Sequence, residues 1–150
     1  MIMSRWFPDV STVGGITSAS KGGTAAAIGF GGLSLLGLAV AFFTGHMPGY
    51  DSPGTNLAYI LGLVAIALEA TIAFLAAYRF GKQKGLWIGT IALLLFVLEI
   101  CGKLGSGTLK GGWIFAYGAI TLGLINGVRA ARAARALGPV AEPDLATVFE

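Results

Sequence analysis

"VAIALEATIAF", residues 64–74, is an apolar run that holds one carboxylate, Glu69, with no other charge within nine positions on either side. In water, so long an uncharged stretch would expose too much hydrocarbon. In lipid, it is an ordinary spanning segment, and the acid becomes the feature to explain. The rest of the chain decides between the two. Of 150 residues, 55% are hydrophobic and only 11% charged, with mean hydropathy +0.80. Soluble domains carry roughly 25% charged residues. The expected solvent is therefore the bilayer.

Working outward, four apolar segments emerge at about 24–45, 57–78, 86–102 and 112–128. Each is near the length of about 20 residues that a helix needs to cross hydrocarbon. Barrel strands are excluded because the runs are too long and do not alternate. "GHMPGYDSPGTN", "RFGKQKG" and "GKLGSGTLKGG" separate them, with Gly, Pro and Asp as turn signals. The predicted fold is all-α: an integral membrane four-helix bundle forming one domain. The opening "MIMSRWFPDVSTVGG" has Pro and Asp where a cleavable signal would have its apolar region, so the first span is expected to act as an uncleaved insertion signal.

Lys and Arg counts orient the bundle. Arg5 and Lys21, then Arg79, Lys82 and Lys84, then Arg129, Arg132 and Arg135 fall on one side, eight cations in all. Only Lys103 and Lys110 fall on the other. Both termini are therefore expected in the cytoplasm, in a multi-pass protein of the bacterial inner-membrane type. Tyr78 and Trp87 suit the inner headgroup level, and Tyr50, Tyr59 and Trp113 the outer one. Residues 1–23 read as a cytoplasmic segment, with a weak interfacial helix around Val10, Val13 and Ile16 that Gly14 and Gly15 interrupt. The fourth helix is expected to run on through "NGVRAARAARALGP" to a stop at Gly138 and Pro139, with 140–150 as an acidic tail. Arg129, Arg132 and Arg135 would meet lipid headgroups or a partner.

The 24 glycines let helices approach closely. On the fourth segment, Gly112, Ala116, Ala119, Gly123, Asn126, Ala130 and Ala133 repeat at steps of four and three, predicting a small-residue seam with Gly123 in a tight contact and Leu122 and Leu124 off it. Gly62, Ala65, Glu69, Ala73 and Ala76 form a second seam. Ala25, Gly29 and Gly32, continued by Gly37 and Ala41, form a third.

On its seam, Glu69 points at another helix and away from lipid, where a charge costs roughly 2.5–3.5 kcal/mol. Low dielectric favours its protonated form. Counting along the helices puts Glu69 level with Ser34, its expected hydrogen-bond partner, with Asn126 as second choice. It then acts as a structural clamp or as a proton or cation site. Glu99 and Lys103 are spaced for an i,i+4 ion pair near the outer interface. No cofactor is expected. One His and one Cys, His46 and Cys101, cannot make a zinc site, and haem would need a second ligand beyond His46. A net charge of +3, confined to loops, does not make a nucleic-acid surface.

With four spans and a membrane-embedded glutamate, the layout resembles the small multidrug-resistance transporters. In that family the essential acid lies on the first helix. Here the 24–45 span carries no charge, so the resemblance implies the span count alone. The expected role is a non-catalytic structural or accessory subunit packing with other membrane subunits or with itself. A small proton-coupled transporter or channel using Glu69 is the alternative.

Overall fold

The computed structural model describes residues 7–45 and 56–137. His46, Tyr50, Gly138, Pro139 and the 140–150 tail lie outside the described residues. Within them there are four helices and no strand: α1 (Val13–Thr44), α2 (Asn56–Gly81), α3 (Leu86–Gly105) and α4 (Trp113–Leu137). All four are long and apolar enough to cross a membrane. The helices form a ring in which α1 packs extensively on α2 and α4, while α3 closes the far side through sparser contacts with the same two. The start of α1, the end of α4 and the 82–85 turn lie together at one end, called here the turn end.

α1 begins eleven residues before the expected boundary at 24. Thr12 caps it, its hydroxyl accepting from Gly15 N at 3.1 Å. Just before it, hydrogen bonding from Ser11 holds the Asp9 carboxyl below its ordinary pKa range. Gly14 and Gly15 do not interrupt the helix, because tertiary packing supplies what propensity lacks: Ile16 and Ala19 are buried against Ala130 of α4. This contact also explains the run of α4 to Leu137. The extension at 129–137 is one arm of a helix pair.

α2 ends in a Schellman-type turn, with Gln83 N bonded to Phe80 O at 2.8 Å and Lys84 N to Arg79 O at 3.0 Å. C′ is Gln83, at φ 56°. The turn sends the chain back under Phe80, whose ring lies in a cradle of glycines. A Cβ on Gly127 would come within 2.8 Å of that ring and 2.9 Å of Gly23 Cα, and one on Gly85 within 2.8 Å of the ring. Gly89 stands as close to the same ring. Ser20 Oγ donates to Phe80 O, and Thr24 Oγ1 to Ala77 O at 3.4 Å, so α1 hydroxyls take up carbonyls at the end of α2. Phe80, Leu124, Phe30 and Phe96 are the largest fully buried side chains.

The small-residue seams need correction. Gly123 does sit tight, with Ala26 Cβ and Gly22 O against it. The same seam dissolves towards the other end, where Gly112 and Ala119 are exposed, as is Ala65 on α2. Leu124, expected off the seam, is fully buried. On α1 the buried stripe is Gly23, Ala27, Phe30, Gly31 and Ser34, with Ala25 exposed. The helix is rotated from the expected face because Gly23, and not Ala25, permits the approach to Gly127.

Candidate functional site

The Phe80 layer gives every helix a common origin. Ser34 lies eleven residues beyond Gly23 on α1, and Glu69 eleven before Phe80 on α2. Glu99 lies ten beyond Gly89 on α3, and Tyr117 ten before Gly127 on α4. At about 1.5 Å per residue, all four stand about 15–17 Å from the layer, at one depth near the middle of the bundle. Four polar side chains, one from each helix, therefore share a cross-section.

Their contacts form two linked groups. Ser34 Oγ is 3.4 Å from Glu69 Oε2 and donates to Phe30 O at 3.1 Å. Glu99 Oε1 accepts from Tyr117 OH at 2.7 Å and pairs with Lys103 Nζ at 2.7 Å. Lys103 also lies 5.4 Å from the centre of the Tyr117 ring. Glu69 and Glu99 share one depth of the bundle, with Lys103 one helical turn further on. Glu99 Oε2 is enclosed and has no partner among the described residues. The cluster thus holds two carboxyls and one ammonium. It is neutral when Glu69 carries a proton and has charge −1 when it does not.

Aromatic rings seal one side. Phe96 stacks on Tyr117 with centroids 5.1 Å apart and meets Phe30 edge-on at 4.7 Å. Phe30 and Phe96 come from opposite helices of the ring and close the bundle between the cluster and the turn end. The other side is open. Between Leu57 and Glu69 no described residue of α2 is buried, and on α3 none is buried beyond Phe96. The Lys103 side chain remains 36% exposed.

Of the residues singled out from sequence, the structure brings together Ser34, Glu69, Glu99 and Lys103. Asn126 is elsewhere: it accepts from Arg129 Nη1 at 3.1 Å beside the Phe80 layer, about 16 Å from the depth of Glu69, and cannot be its second-choice partner. Arg129 is drawn inward by that bond and lies over the Phe7 ring at 5.6 Å, leaving Arg132 and Arg135 as the exposed cations of α4. Cys101 is exposed. Tyr117 escaped the sequence reading, yet a signal existed. Glu69 is twelve residues before Gly81 and Glu99 thirteen after Leu86, so the shared turn alone puts both acids at one depth. Comparison with known protein families, with curated proteins and with solved structures found no match to this chain.

Proposed function

We propose that the protein is an integral membrane protein that handles protons or small cations at the cluster of Ser34, Glu69, Glu99, Lys103 and Tyr117. The observation that carries this reading is the convergence of polar side chains from all four helices on one depth of an otherwise apolar bundle. Ionisable groups at such a depth are rare and costly unless paired, and function is the usual reason for keeping them. On the positive-inside argument the turn end is cytoplasmic, and the loosely packed end faces the other side of a bacterial inner membrane.

The chemistry divides between the two carboxyls. Glu99 is engaged by the Lys103 ammonium and by the Tyr117 hydroxyl. Glu69 is the exchangeable group. Ser34 has one proton and two acceptors in reach, Phe30 O and Glu69 Oε2. When it donates to Phe30 O, its lone pairs accept from a protonated Glu69. When Glu69 gives up its proton, the hydroxyl turns to donate to the carboxylate, or a cation takes the vacated charge. The Phe30–Phe96 contact closes the route to the turn end, so passage through the bundle requires those rings to part.

The test is proton flux in liposomes carrying the purified chain and an internal pH-sensitive dye. Glu69→Gln keeps the shape and removes the titrating group. Flux abolished at least tenfold, with the unfolding midpoint unchanged, is the expected result. Equal flux in Glu69→Gln and wild type would remove the proton reading. The accessory-subunit reading has one observation in its favour. Trp87, Ile91, Leu94 and Leu98, at steps of four, three and four, are all exposed on α3 and suit a partner helix. Mass determination after gentle solubilisation separates the two, since an accessory subunit brings its complex with it.

A further inference from the structure

The turn end carries a cleft that the proton site does not use. It measures about 280 Å³ and lies between the last turn of α2 and the first of α3, lined by Leu75, Arg79, Lys84, Trp87 and Ile88. The Schellman turn creates its mouth. The bond from Lys84 N to Arg79 O holds the two basic residues side by side at the rim. Leu75, one turn before Arg79, and Ile88, one turn into α3, supply apolar walls. Trp87 is 75% exposed at the edge.

Neither the Arg79 nor the Lys84 side chain has a hydrogen bond, ion pair or ring contact among the described residues. Their neighbours do: Lys82 lies over the Tyr78 ring at 5.9 Å, and Arg129 bonds Asn126. The only acid described at this end is Asp9, which is engaged with Ser11 and near Arg129. Two cations without an anion among the described residues, set above an apolar floor and flanked by an indole, match one ligand chemistry: an anionic headgroup with a hydrocarbon tail.

We propose that this cleft is a specific site for an anionic glycerophospholipid. The phosphate sits between the Arg79 guanidinium, which offers a planar pair of donors, and the Lys84 ammonium. An acyl chain runs down Leu75 and Ile88, and Trp87 lies at headgroup level. This inference rests on the membrane embedding proposed above and is independent of Glu69.

The experiment uses the full chain purified in detergent micelles. Phosphatidylglycerol or phosphatidylcholine is titrated in, and retained lipid is counted by native mass spectrometry. The expected result is retention of phosphatidylglycerol over phosphatidylcholine, about tenfold weaker in the Arg79→Gln, Lys84→Gln double variant and at most about twofold weaker in Arg132→Gln, Arg135→Gln, whose cations meet headgroups outside the cleft. Inorganic phosphate at the same concentration should not displace the lipid, because it lacks the tail. Equal loss in the two double variants would reduce the site to a diffuse basic surface and overturn the proposal. Displacement by inorganic phosphate would overturn the lipid as occupant. A chain recovered in the soluble fraction without detergent would overturn the membrane reading, and this site with it. The substituted side chains are exposed and make no ion pair among the described residues, so the variants keep the fold.

Discussion

The two halves of this bundle are built on opposite principles. At the turn end, four helices close around Phe80 with glycine on three sides, and Gly23, Gly85, Gly89 and Gly127 have no room there for an added methyl. Towards the other end, Gly112, Ala119 and Ala65 face outward, and a Cβ added to Gly102, Gly105 or Gly118 would meet nothing within 4 Å. Among the described residues beyond the cluster, one side-chain bond between helices braces the open half, from Tyr59 OH to Ala41 O at 2.6 Å. The polar cluster stands where the two halves meet. A site that exchanges an ion needs a firm floor to set the geometry of its ligands and a loose approach for entry. In the proton or cation role proposed above, that floor would be the Phe30–Phe96–Tyr117 ring cluster on the glycine-locked half.

The largest expected effect tests whether the locked half holds the fold. Phe80→Ala removes a ring that is 1% exposed and empties the cradle. The cost should be about 3–5 kcal/mol, read from an unfolding titration in mixed micelles. Phe115→Ala, on the open half where the ring is 82% exposed, should stay within about 0.5 kcal/mol. Similar losses at both sites would erase the distinction between the halves.

Overpacking gives a smaller and sharper version. Gly127→Ala puts a methyl against Phe80 and the Gly23 backbone, and backbone cannot move aside cheaply. About 1–3 kcal/mol should be lost. Gly118→Ala, nine residues earlier on the same helix, meets open space and should be neutral or slightly stabilising through helix propensity. A neutral Gly127→Ala would mean that α1 and α4 are not locked at this point.

Much of the architecture was legible in the sequence, because apolar length and turn residues suffice to number the helices and to pair α1 with α2. The depth match of Ser34 with Glu69 followed from helix rise alone. The faces were not legible. These helices are apolar almost all round, so no polar stripe marks the outside, and with 24 glycines small residues align on several faces at once. That is how Ala25, Gly29 and Gly32 looked like a seam while Gly23, Ala27 and Gly31 formed it. Helix starts were hidden for a related reason. Gly14 and Gly15 argue against a helix locally, and only the distant Ala130 and Ile16 contact outweighs them. Tyr117 stayed hidden because an interfacial ring and a buried hydrogen-bond donor look alike until the depth of its helix is known.

The smallest effect concerns the turn that builds the locked half. Gln83 is the one residue other than glycine with positive φ among the described residues. A left-handed backbone costs an L-residue about 1–2 kcal/mol, and the C′ position of a Schellman turn normally takes glycine for that reason. Gln83→Gly relieves the strain but loosens the unfolded chain. It also deletes the bond from Gln83 Nε2 to Thr17 Oγ1, which at 3.5 Å is near the limit of a real hydrogen bond and contributes little. The strain term is the larger, so the variant should gain up to about 1 kcal/mol in the same unfolding titration. A loss instead would show that the side chain of Gln83 ties the turn to α1. The firmness of this half would then owe as much to that tether as to the glycine cradle around Phe80.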